Sequence, residues 1–216
     1  MTASLVSISA GTATLEGELI VPPAAAGLVI FAHGSGSSRH SPRNQAVAAT
    51  LRERGLGTLL MDLLTRTEEA EERVTRHHRF DIALLSARLA ATVQFAAEDQ
   101  RTATHRIGLF GASTGAAAAL VAAAESEGRV GAVVSRGGRP DLAGSSLAVV
   151  TAPTLLIVGA ADAHVLELNR EALAQMKSAV VHLEIVPRAG HLFSEHGTLD
   201  QVADLAADWF GLHLAA

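Results

Sequence analysis

Short apolar runs that do not alternate restrict this chain's fold more than any other feature. Leu28-Val29-Ile30-Phe31-Ala32 is apolar at every position and is closed by His33-Gly34-Ser35-Gly36. A strand with one wet face alternates apolar and polar side chains; a run without alternation belongs to a strand buried on both faces, as in a parallel sheet covered by helices. Leu56–Met61, Arg106–Phe110, Val130–Ser135, Pro153–Val158 and Val180–Val186 are further strand candidates. Between them lie Pro42–Arg54, Phe80–Ala97, Ala116–Ala124, Val165–Met176 and Leu199–Leu212, all expected to be helical. In the second of these, Leu84, Leu85, Leu89 and Val93 share one side. Strands alternating with helices predict a three-layer α/β/α sandwich around a mostly parallel sheet. Leu5–Ser9 and Thr14–Val21 do alternate, and are expected as antiparallel strands at the N-terminal edge before Pro22-Pro23 breaks the pattern.

Composition then narrows the function classes. The chain has 216 residues, 49% of them hydrophobic, which suits one domain over residues 1–216 with a sizeable core. A net charge of −5 gives no basic face for nucleic acid, so no nucleic-acid partner is expected. The absence of cysteine excludes disulfides, thiolate metal sites and a cysteine nucleophile. No apolar stretch reaches the roughly 18–20 residues that span a bilayer. The N-terminus lacks a basic segment leading into an apolar one, so a cytoplasmic protein without a membrane partner is expected.

In such sheets ligands bind beyond the carboxyl ends of the strands, so the residues that follow the apolar runs carry the chemistry. After Arg106–Phe110 comes Gly111-Ala112-Ser113-Thr114-Gly115, a G-x-S-x-G turn between a strand and an alanine-rich helix. That context makes Ser113 a candidate nucleophile at a helix N-terminus, where the dipole favours developing negative charge. The alternative is a glycine-rich turn with an ordinary serine. His33-Gly34-Ser35-Gly36 can turn a backbone amide toward an oxyanion, or be a plain loop. Asp162, in Gly159-Ala160-Ala161-Asp162, can orient an imidazole or merely cap the next helix. His191, in Ala189-Gly190-His191, follows the last strand and is the histidine whose place suits a general base; His196 is its main competitor. His164 is too close to Asp162 in sequence to be its partner, and His77-His78 lie in a charged stretch and are expected to be solvated. The order Ser113, Asp162, His191 is that of the strand–turn–helix serine hydrolases.

On these residues the chain resembles the α/β-hydrolase superfamily and, within it, the dienelactone-hydrolase-like group, over essentially its whole length. The resemblance implies Ser113 as nucleophile, His191 as general base and then acid, and Asp162 as the orienting acid, with Ser35 and Thr114 supplying the oxyanion amides. Gly34 would lie against the substrate. Dienelactone hydrolase proper has a cysteine where this chain has Ser113, so its substrate is not carried over.

The expected reaction is hydrolysis of small carboxylic esters through an acyl-enzyme, with no cofactor and no metal. Thioesters, amides and lactones would use the same residues, and a non-catalytic binding scaffold is a further alternative. Arg136–Ala152, where larger relatives insert a lid, is too short for a large cap, which favours an open site. Arg136 and Arg139 flank Gly137-Gly138 at a strand end, where one of them can clamp a substrate anion or lie solvated. Thr65–Arg79, rich in both charge signs, is read as a solvated surface helix in preference to a pocket rim.

Overall fold

A computed structural model describes residues 2–215. Eight strands form one sheet in the order β1-β2-β4-β3-β5-β6-β7-β8. They are β1 (Ser4–Ala10), β2 (Ala13–Ile20), β3 (Leu28–Ala32), β4 (Gly57–Met61), β5 (Ile107–Ala112), β6 (Val130–Arg136), β7 (Thr154–Gly159) and β8 (Val181–Val186). β3 to β8 run parallel, whereas β2 is antiparallel to both β1 and β4. The two alternating segments are thus the expected antiparallel edge strands: β1 and β2 oppose each other, and β2 also opposes β4. β3, β4, β5 and β7 are buried at every position, as their unbroken apolar runs require.

Helices cover both faces. On one side α1 (Pro42–Glu53) and α7 (Thr198–Leu214) bury Val47, Leu51, Val202, Ala206 and Phe210. On the other, α3 (Ile82–Glu98), α4 (Thr114–Glu125) and α6 (Ala163–Gln175) bury Leu85, Leu89, Ala117, Leu120 and Ala172. Ala116 to Ala119 are fully buried, because side chains this small let α4 lie close against the sheet.

The remaining helices are α2 (Arg66–Thr75) and the single turn α5 (Ser146–Val149). α2 begins with a reciprocal cap in which Thr65 and Glu68 each bond the other's backbone N–H. α5 and a 3-10 turn at Pro140–Ala143 are all that fills the connection after β6, and both pack against the sandwich around α4. The expected absence of a large cap is met there. No helix among the described residues is long and apolar enough to cross a membrane.

Candidate active site

The strand order reverses at β3, whose neighbours are β4 and β5. The loops leaving β3 and β5 diverge there, and the crevice between them is where an open α/β sheet binds its ligand. Ala32 at the end of β3 is paired with Gly111, and Ala112 with Arg136 at the end of β6. His33, Ser113 and Arg136 are therefore brought to one rim by register alone.

Ser113 sits at the turn into α4 with φ 50° and ψ −121°, a conformation that L-residues avoid. Neighbouring groups hold it there. Its N–H donates to the Arg136 carbonyl at 3.3 Å, and its own carbonyl accepts from Ala116 and Arg139, each at 3.1 Å. The two flanking glycines are sterically required. A Cβ on Gly111 would lie 2.4 Å from Cα of Ala116, and one on Gly115 would lie 2.3 Å from the Ala32 carbonyl oxygen. Backbone stands in both places, and it cannot move aside as a flexible side chain would. The turn is thus a strained elbow that presents Ser113, and its side chain makes no hydrogen bond that would mark it as a cap.

Asp162 and His191 meet because their loops are stitched together. Ala160 N–H donates to the Val186 carbonyl and Ala161 N–H to that of Ala189, both at 2.9 Å. Asp162 occupies the residue before α6 but does not cap it. Instead its Oδ2 accepts from His191 Nδ1 at 2.7 Å. A carboxylate can only accept, so Nδ1 carries a proton, and in the neutral ring Nε2 then holds the lone pair. Ser113 and His191 line the same cleft, of about 210 Å³, with no direct bond between their side chains. His196 is exposed and lies outside this lining, so the structure brings together Ser113, Asp162 and His191 and leaves the competitor aside.

The loop after β3 is set by His33, quoted above for its motif but without a role. Its Nδ1–H donates to the Gly34 carbonyl at 2.9 Å, and its Nε2 accepts from Leu63 N–H at 3.0 Å. Burial pulls its pKa below the usual histidine value, so it stays neutral and can do both. In a trans peptide the carbonyl and the next N–H point in opposite directions. With the Gly34 carbonyl turned to the ring, the Ser35 N–H is directed the other way, and no partner is found for it among the described residues. A Cβ on Gly34 would be 3.0 Å from Cβ of Ser113, so this backbone passes directly beside the nucleophile. The Ser35 hydroxyl lies 3.1 Å from that of Thr114, tying the loop to the first residue of α4. Thr114 is at the helix position whose N–H has no intrahelical acceptor.

Two expectations are corrected here. Arg139 is occupied: its guanidinium grips Asp141 with bonds of 2.8 and 2.7 Å and does not line the cleft. Arg136 is not the solvated residue offered as one alternative, since it is only 8% exposed and lines the cleft without a side-chain partner. The second concerns Thr65–Arg79, where most of α2 is exposed as expected but one side of it is not. Glu72 is buried, accepts from the His78 backbone N–H at 2.8 Å and pairs with Arg79. Glu69, Glu72, His78 and Arg79 line a small pocket together with His33 and Ser35, so α2 does form a rim, and His78 is half-buried and not solvated. An alternating-charge helix looks solvated in sequence because its ion pairs with distant residues are invisible there. Arg43 and Asn44 in the first turn of α1 also line the cleft, and sequence reasoning missed them. The only signal was their position after the β3 loop; which way the helix turns them is decided by its packing on α7.

This is the fold of the lid-less α/β serine hydrolases. The model of the dienelactone hydrolase family matches residues 15–210, and the chain belongs to that family. It is 53% identical to dienelactone hydrolase from Anabaena variabilis, with a TM-score of 0.96 over 99% of this chain and 98% of that one. XC6422 of Xanthomonas campestris, described as an α/β serine hydrolase without lid, shares the fold at 21% identity and a TM-score of 0.77, over 99% and 96% of the two chains. Among curated proteins the chain is 55% identical over 209 residues to a Mycobacterium tuberculosis (strain H37Rv) protein named "Putative phosphoribosyl transferase". The match takes in 97% of this chain but 46% of that protein, so the chain spans under half the length of this relative.

Proposed function

We propose that this chain is a serine hydrolase that cleaves small carboxylic esters through an acyl-enzyme on Ser113. The observation that carries the reading is the His191–Asp162 bond, which leaves Nε2 of His191 free at the cleft that Ser113 also lines. His191 takes the Ser113 proton as the hydroxyl oxygen attacks the acyl carbonyl, and Asp162 stabilises the imidazolium that forms. The oxyanion is met by the N–H groups of Ser35 and Thr114, which are already oriented and so need no reorganisation during the reaction. His191 returns the proton to the leaving alcohol, and the same residue then activates the water that releases the acid. The open rim, with no cap after β6, favours small or exposed esters.

Family membership and the serine-hydrolase neighbours support hydrolysis as the class. The transferase name belongs to a relative more than twice as long as the segment matched. Thioester, amide and lactone cleavage would proceed through the same residues, and substrate profiling separates them. The test is labelling by a fluorophosphonate probe, wild type beside Ser113→Ala, with turnover of p-nitrophenyl acetate and butyrate. Labelling and turnover confined to the wild type support the reading. A folded wild type that does neither overturns it in favour of a binding scaffold.

A further inference from the structure

The cleft that holds Ser113 carries positive charge with nothing to balance it. Arg136 is buried, and its Nε and Nη1 have no partner; Arg43 lines the same cleft, and its Nε is buried and equally unpaired. Asn44, also buried and in that lining, has an unpartnered Oδ1, which can only accept and so adds no donor for an anion. No carboxylate lines the cleft. Several other buried or half-buried arginines do have acidic partners: Arg39 with Glu16 and Asp62, Arg79 with Glu72, Arg88 with Glu68. Burial, with repulsion from Arg43 added, pulls the Arg136 guanidinium down to about 10, so it is still charged at neutral pH but held at a cost to the fold. A buried cation left unpaired beside a nucleophile is what remains of a salt bridge when its other half is a ligand.

Two unbalanced cations call for two negative charges, and donors on two separate guanidinium groups can be shared among the oxygens of one tetrahedral dianion. A phosphate monoester carries about −1.5 to −2 charges near neutral pH and three acceptor oxygens. The backbone of Arg136 already accepts from Ser113 N–H, so the group it holds would lie within one substrate's length of the reacting carbonyl. We propose that Arg136 and Arg43 bind a dianionic phosphate group on the substrate, which makes the preferred substrates phosphorylated esters attacked at the acyl carbon. This rests on the serine-hydrolase reading for what is cleaved, but not for what is bound.

The experiment separates the two. Inorganic phosphate is titrated calorimetrically into Ser113→Ala, with acetate and chloride at matched ionic strength as comparisons, and is also tested for protection of wild-type Ser113 against the fluorophosphonate probe. Phosphate should bind at least about tenfold more tightly than acetate, and should slow labelling. Arg136→Met and Arg43→Met, each verified as folded by its melting curve, should each weaken phosphate binding by about tenfold or more. If acetate binds as well as phosphate, or if neither variant changes the affinity, the proposal is overturned while the hydrolase reading stands. If phosphate binds through these arginines but the wild type never labels, the anion site stands and the hydrolase reading fails.

Discussion

Two flanks of the same loop treat charge in opposite ways. On one side of His33–Gly36 lies the cleft of Ser113, His191, Arg43 and Arg136, where both arginines are unpaired and the one acid nearby, Asp162, is bound to His191. On the other side, under α2, Glu72 pairs with Arg79 and Glu68 with Arg88, so these charged groups have partners supplied by the chain itself. Burying an unpaired charge destabilises a fold, whereas a pair with its remaining hydrogen bonds satisfied is tolerated. The α2 flank therefore has the economy of a structural element. The cleft keeps an imbalance that the chain itself does not relieve. The same division is visible in the backbone: α2 starts with a complete capping box, while Ser113 is held at a positive φ by its neighbours.

The sharpest way to break this comparison is to test where chemistry resides. Ser113→Ala should abolish ester turnover, by at least about 10^4-fold in kcat. Asp162→Asn should lower kcat by up to about 10^4-fold with a smaller change in KM, because the imidazole loses the partner that selects its tautomer. Glu72→Gln, across the loop, should lower the melting temperature and leave kcat within about threefold of wild type, as surface and scaffold positions do. A kcat loss in Glu72→Gln comparable to that in Asp162→Asn would erase the distinction between the flanks.

Stability measurements sharpen it from the other direction. Arg88→Met strands the Glu68 carboxylate and the Leu63 carbonyl that Arg88 also holds at 2.7 Å, and should cost about 2–3 kcal/mol in chemical denaturation. Arg136→Met strands no protein group, and should stay within about 0.5 kcal/mol of wild type or exceed it. Equal losses would show Arg136 to be structural. The smallest effect is on acid stability. The Arg88 hydrogen bond holds the Glu68 carboxyl down from 4.5 to about 2, against the opposing effect of burial. Its folded-state pKa lies below the unfolded one, so the contribution is full above about pH 4.5 and is lost as pH falls from there toward about 2. Partial exposure limits it to about 1–2 kcal/mol. Melts across that window should show the slope in the wild type and a weaker one in Glu68→Gln.

Much of this was legible before any coordinates. Unbroken apolar runs report burial on both faces directly, so the parallel core of the sheet and its alternation with helices followed from pattern. The G-x-S-x-G turn, the acid after β7 and the histidine after β8 are local features whose order along the chain survives in the structure. At the edge, alternation reported two half-buried strands that pair antiparallel, but not which strand of the parallel core β2 would join. Helix positions such as Arg43 and Asn44 were not legible at all. Their role depends on how α1 is rotated, which is set by packing against a helix at the other end of the chain.

By itself, the sequence determined the layers, the elbow and the three residues proposed for catalysis. Each of these is encoded within a few residues: strand burial in an apolar run, the elbow in two glycines with no room for a Cβ, and Asp162 and His191 in loops that directly follow strands. Only the tertiary structure decided that His191 is joined to Asp162, that Arg139 is bound to Asp141, and that Arg136 is left bare in the cleft. The reason is distance along the chain. Whether a charge finds its partner depends on which loops the sheet brings side by side, and strand register fixes that.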